Sequence, residues 1–270
     1  MIHRIAATLA VAVSITFALQ APQEGRGAVV AVGGGGTPDA AVREVMRLAG
    51  DGATVAVVPF ASSREDRGVG SVEMWEEAGA RAVLVAQDAA RAREALGAAD
   101  VIWMGGGDQD RLLDALEELD IVGLIRERNA GGAVVGGTSA GAAVLGRVSI
   151  AGRPDPDAYV RGAMEGRPGL DLVRDAIVDQ HFRERTREGR LLTAVLDAGG
   201  LLGLGVSERT AAVIEGEAMR VLGEGVIVAF DARAAEVQPK TTDPRYGARG
   251  IATAIVPPGA AWNLAAERRK

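Results

Sequence analysis

The chain predicts an α/β protein: a mostly parallel sheet with helices on both faces and an antiparallel C-terminal extension. Three observations carry that expectation. From Ala28 onward, short β-branched runs alternate regularly with longer Ala/Leu/Arg/Glu stretches, the pattern of successive strand–helix units. The strand runs are apolar on both faces, as strands covered by helices on each side must be. Past residue 200 the rhythm changes to short, closely spaced strands separated by Gly-rich turns, which reads as an antiparallel or mixed extension at the sheet edge.

Ala28 to Val32 is the first strand and runs into Gly33-Gly34-Gly35-Gly36; Pro38 then suits the first turn of a helix reaching about Ala49. Thr54 to Pro59 is the second strand, Val72 to Ala78 lies in a helix, and Ala82 to Val85 is the third strand. A helix from about Ala89 to Leu96 leads to Val101–Met104, which ends in Gly105-Gly106-Gly107-Asp108-Gln109. Helical segments pass through Leu113–Leu116 and Ile121–Arg128, and Ala133 to Val135 is a strand running into Gly137-Thr138-Ser139-Ala140-Gly141. Ala176-Ile177-Val178 reads as a strand delivering Asp179-Gln180-His181 to its end, before a helix from Arg187 to Leu196. Leu202 to Val206, Ala211 to Ile214, Arg220 to Leu222 and Val226 to Phe230 form the closely spaced strands, with one more between Gly250 and Val256. The Pro-, Asp- and Gly-rich stretch from Ile150 to Leu170 has no clear period and reads as a loop.

Residues 1 to about 25 stand apart. His3 and Arg4 precede an uncharged run from Ile5 to Leu19, with small residues at Ala18 and Ala21, the layout of a secretory signal peptide. The run is short for a membrane span, which needs roughly 20 apolar residues. The expected organisation is a leader over 1–25 and a single α/β domain over 26–270, secreted or periplasmic. With 48% hydrophobic residues but only 3% aromatic, the core must be built from Ala, Val, Leu and Ile. A net charge of −6 argues against non-specific attraction to nucleic acid phosphates. The absence of cysteine excludes disulfides, thiolate metal sites and a cysteine nucleophile.

Of the two histidines, one belongs to the leader, so His181 is the only imidazole left in the body of the chain. The segment from Gly137 to Gly141 has the Gly-x-Ser-x-Gly form of a nucleophile elbow, in which a tight strand-to-helix turn exposes the serine. A serine hydroxyl needs a base within hydrogen-bond reach to take its proton, and His181 is the one available. A third, acidic group should orient the ring. Glu208, Asp179, Asp108 and Asp155 are candidates, with Glu208 favoured slightly because it follows the apolar run Gly203–Ser207. For the oxyanion, the N–H of Ala140 and the Gly106/Gly107 turn are suitably placed donors; the quadruple glycine at 33–36 is a weaker candidate and lacks the spacing of a nucleotide loop. Arg183, Arg185, Arg187 and Arg190 form either an anion-binding cluster or a solvated helix face.

Several of these blocks resemble one family. The run from Asp179 to Leu192 is similar to the histidine segment of cyanophycinases, serine peptidases grouped with the aspartyl dipeptidase called peptidase E. Gly136–Ala142 resembles their nucleophile segment, Gly106–Gln109 their glycine turn, and Leu204–Ala211 the segment carrying their acidic member. The resemblance implies a fold like class I glutamine amidotransferases with serine replacing cysteine, and a Ser139–His181–Glu208 triad. It also implies substrate contacts from Gln109, Asp179, Gln180, Arg185, Arg187 and Arg190, and a polymer substrate with a poly-aspartate backbone and arginine side groups. Ser207 departs from the family, which commonly has an acidic residue there.

The leading expectation is therefore a secreted serine peptidase of cyanophycinase type, cleaving aspartyl (β-Asp-Arg) peptides with no metal and no cofactor. An exported dipeptidase of peptidase E type and a non-catalytic binder of an anionic ligand are the alternatives. The partners expected are a peptide or an Asp/Arg polymer, with no nucleic acid and no stable membrane span once the leader is removed; a homodimer is an open arrangement.

Overall fold

A computed structural model of the chain describes residues 26–151 and 159–265. The expected leader over 1–25 and Asp155 lie outside the described residues. The N-terminal half runs β1 (Val29–Val32), α1 (Asp39–Ala49), β2 (Thr54–Val58), α2 (Val69–Glu77), β3 (Ala82–Val85), α3 (Ala89–Ala98), β4 (Val101–Met104), α4 (Gln109–Glu118), α5 (Val122–Ala130) and β5 (Val134–Thr138). A one-turn α6 (Ala140–Ala143) follows, then β6 (Gly146–Ile150), β7 (Gly166–Pro168), β8 (Val173–Asp179), α7 (Glu188–Asp197) and β9 (Leu202–Val206). The remainder is all strand: β10 (Thr210–Glu215), β11 (Ala218–Gly223), β12 (Ile227–Asp231), β13 (Glu236–Val237), β14 (Ala248–Arg249), β15 (Ala252–Val256) and β16 (Ala261–Asn263).

The strands form two large sheets and a small two-stranded ribbon of β13 and β14. The first sheet has the order β16-β11-β10-β1-β5-β4-β2-β3; β1, β5, β4, β2 and β3 are parallel, while β10, β11 and β16 add antiparallel strands on the β1 side. Alternation along each strand sends side chains to opposite faces. Val30, Val32, Val55, Val57 and Trp103 face α1 and α2, with Trp75 edge-on to Trp103, while Val29, Ala31, Ala56 and Val58 face the layer of α3, α4 and α5.

The second sheet, β15-β12-β9-β8-β6-β7, is where the fold differs from expectation. Leu202–Val206 and Ile227–Asp231 do not extend the first sheet. β9 pairs in parallel with β8 after the α7 crossover, and β12 and β15 continue from it antiparallel. The reason lies in the two faces of β9. Leu202, Leu204 and Val206 join the core shared with the first sheet, whereas Gly203 and Gly205 leave room on the other face for α7 and Phe182. The helix expected after Ser139 is likewise only one turn, because β6 begins at Gly146, where a side chain would press on the Ala176 carbonyl of β8. The stretch Ile150–Leu170, read as loop, holds the short edge strand β7 among its described residues.

Candidate active site

Ser139 sits between the end of β5 and the start of α6, with φ 53° and ψ −113°, a backbone state that a non-glycine residue adopts only under constraint. The constraint is visible in its neighbours. A side chain at Gly137 would lie 2.6 Å from the carbonyl carbon of Gly141, and one at Gly141 would press into Met104 of β4. Glycine at both positions lets strand, turn and helix close this tightly. The Ser139 N–H donates to the Val32 carbonyl at 2.9 Å, fixing the turn against β1.

His181 lies two residues past the end of β8, also at positive φ (46°), with its N–H donating to the Gly33 carbonyl at 2.7 Å. This brings the imidazole across the gap between the two sheets. The Ser139 Oγ and His181 Nε2 are 2.9 Å apart, and His181 Nδ1 is 2.5 Å from Oε1 of Glu208, just past the end of β9. An ionised carboxylate only accepts hydrogen bonds, so the Nδ1 proton is the one it holds, leaving the Nε2 lone pair for the serine hydroxyl. The arrangement can move a proton from alcohol to imidazole while a carboxylate stabilises the resulting cation. Of the other acids considered, Asp108 is engaged elsewhere as the N-cap of α4, accepting from the Arg111 N–H.

The family model of peptidase family S51 matches residues 29–222, a span that carries all three of these side chains. The chain belongs to peptidase family S51. This S51 serine peptidase is 34% identical over 229 residues to the cyanophycinase of Trichormus variabilis, with 79% of this chain and 76% of that protein covered. To the Peptidase E of Pasteurella multocida it is 29% identical over 191 residues, covering 66% of this chain and 79% of the other. Among solved structures, a peptidase from an acI-B1 Actinobacterium superposes with a TM-score of 0.64 at 18% identity, covering 90% of this chain and 98% of that one. The mixed sheets flanked by helices are consistent with a class I glutamine amidotransferase-like fold.

On the other side of Ser139, Gly106 is close enough that a methyl there would contact the Ser139 Cβ at 3.3 Å. Gly107 (φ 142°) turns toward the Ala61 backbone, and the Gly105 carbonyl accepts the Gly141 N–H at 3.1 Å, so this turn is clamped to the elbow. Ala140 opens α6, and the first N–H groups of a helix have no partner within it.

The residues expected to contact substrate divide into two groups. Arg185 is exposed, its backbone N–H donating to the His181 carbonyl at 3.0 Å, with no partner for its guanidinium among the described residues. Asp179, Gln180, Arg187, Arg190 and Gln109 are buried instead. Asp179, 1% exposed, lies 3.3 Å from Arg187 Nη1 and 3.3 Å from Arg190 Nε, and Arg187 also donates to the Gln180 carbonyl at 2.8 Å. The pattern of apolar positions places Arg187 and Arg190 at the head of α7, where the solvated-face reading would leave them exposed; their fractional exposures of 8% and 4% correct it. Gln109 donates its amide to the Ile150 carbonyl at the end of β6. One contributor went unread in the sequence: the Glu184 carboxylate accepts the Glu208 N–H at 3.0 Å. Nothing in a run alternating Arg and Glu singles it out. Among the described residues there is no group of three or more His, Asp or Glu side chains placed to hold a metal, and no helix is long and apolar enough to cross a membrane.

Proposed function

We propose that this S51 peptidase is an exported enzyme that cleaves aspartyl peptides of the β-Asp-Arg, cyanophycin-like type through a Ser139–His181–Glu208 triad. The observation that carries the reading is the continuous hydrogen-bonded line from Ser139 Oγ through His181 to Glu208, at 2.9 and 2.5 Å. Ser139 Oγ attacks the scissile carbonyl carbon as its proton passes to His181 Nε2. The N–H of Ala140 and the Gly106/Gly107 turn stabilise the negative oxygen of the tetrahedral intermediate. Collapse of that intermediate breaks the C–N bond, and the leaving amine takes the proton from Nε2. A water molecule, deprotonated by the same imidazole, then hydrolyses the acyl-enzyme ester and restores the Ser139 hydroxyl.

The substrate class rests on the cyanophycinase relatives and on Arg185, an exposed arginine four residues past His181 whose guanidinium can take a carboxylate in a two-pronged bond. Export rests on the N-terminal composition. A fluorophosphonate probe that labels the wild type but not S139A tests the activated serine. Incubation with cyanophycin granules and, separately, with small aspartyl dipeptides tests the substrate: release of β-aspartyl-arginine dipeptides from the polymer supports the reading, whereas cleavage of the small peptides alone assigns the peptidase E alternative. Binding of an anionic ligand with no labelling at all assigns the non-catalytic reading.

A further inference from the structure

We propose that the glycine turn after β1 is the positioning element of the acid–base pair, with Gly34 setting the His181 ring and Gly35 setting the Glu208 carboxylate. The inference rests on the catalytic reading above. Three residues from three distant parts of the chain converge on three consecutive residues of β1 and its turn. Val32 accepts the Ser139 N–H at 2.9 Å; Gly33 accepts the His181 N–H at 2.7 Å; Gly34 accepts the N–H of Arg209, the residue after Glu208, at 2.8 Å. β1 belongs to the first sheet, beside the strand carrying Ser139, whereas His181 and Glu208 leave the second sheet. The turn is thus the common register that brings the serine of one sheet to the base and acid of the other.

Three glycines in the turn have positive φ: 93° at Gly34, 68° at Gly35 and 108° at Gly36. They differ in what an added methyl would meet. At Gly34 it would lie 2.5 Å from His181 Nε2, the atom bonded to Ser139. At Gly35 it would lie 2.6 Å from Glu208 Oε2. At Gly36 nothing lies within 4 Å. Backbone conformation alone therefore asks for glycine at all three positions, while the pair of catalytic side chains asks for the absence of a side chain at the first two only.

The test compares G34A, G35A and G36A for the rate of fluorophosphonate labelling of Ser139 across pH, with a thermal melt to establish folding. G34A should label ~100-fold more slowly than wild type, the scale of loss that a displaced reacting group brings, while G36A, also at positive φ, keeps the wild-type rate. The residual G34A rate should no longer rise with deprotonation of the imidazole, and adding H181A should cost it nothing further, since both changes remove the same proton transfer. G35A meets only the end of a partly exposed side chain that can swing aside, so it folds even where G34A does not, and its loss should be non-additive with E208Q. Folded G34A or G35A labelling at the wild-type rate, or losses that add fully to those of H181A and E208Q, would overturn the inference alone. A wild-type protein that resists labelling would overturn the catalytic reading together with it.

Discussion

Phe182 is packed against Gly205 so closely that a methyl at Gly205 would lie 2.5 Å from the ring's Cδ1. The ring is fully buried beneath α7, and the Phe182 N–H donates to the Val206 carbonyl at 3.1 Å. His181 is the preceding residue, so the anchoring of Phe182 on β9 also anchors the imidazole of the proposed triad. G205A should destabilise the protein by about 1–3 kcal/mol through overpacking and lower kcat more than it raises KM. A urea titration and steady-state kinetics check it; unchanged kcat with lowered stability would separate Phe182 from the site.

Replacing members of the proposed triad should give unequal but non-additive losses. S139A and H181A should each lower kcat by about four orders of magnitude or more, and E208Q by less, because the ring keeps its contact with Ser139 while losing its charged partner. The double variant S139A/H181A should be no worse than S139A. Single-turnover rates on an aspartyl-arginine substrate supply the measurement.

Asp179 and Arg185 lie six residues apart and should respond in opposite ways. D179N leaves Arg187 and Arg190 buried without the charge that faces them both, which should cost about 3–5 kcal/mol of stability. R185A, at an exposed position, should leave the unfolding midpoint in place and raise KM for anionic peptides. Parallel denaturation curves and KM values for charged and neutral substrates distinguish the two.

Glu44 predicts an acid-sensitive contact far from the site. Its carboxylate accepts two bonds from Arg47 at 2.8 Å and one from Arg220 of β11 at 2.6 Å, tying α1 to the first sheet. The Arg47 bonds, helped by Arg220 and opposed by burial, bring its pKa down to about 2. The folded value is below the ordinary one of about 4.3, so the contact stabilises the fold above that pH and its contribution is lost as pH falls toward about 2. E44Q should therefore lower the unfolding midpoint at pH 7 and flatten its decline between pH 5 and 2. Midpoints measured at several pH values for both proteins test this; parallel acid limbs would refute it.

Local signals reach a long way in this chain. The parallel half was legible because strands buried on both faces read as near-continuous apolar runs, as β1 and β4 do throughout and β2 does after Thr54. Ser139 and His181 were legible as a candidate pair because the body of the chain holds a single histidine and one Gly-x-Ser-x-Gly turn of this kind, whereas Glu208 was favoured only slightly among several acids until the resemblance pointed to it. The family followed from short blocks around those residues. Separation into two sheets was not legible, because Leu202–Val206 can pair with either sheet on pattern alone; Gly203 and Gly205 decide it by admitting α7 and Phe182. The partners of Asp179, Arg187 and Arg190 were hidden for a related reason: charge in a sequence suggests solvent, and only packing reveals that opposite charges have been buried together. The purpose of Gly33–Gly36 was out of reach for the same cause. A glycine's local signal is its freedom to turn, whereas its service to His181 and Glu208 depends on side chains arriving from about 150 and 170 residues away, a distance in sequence that only the folded chain closes.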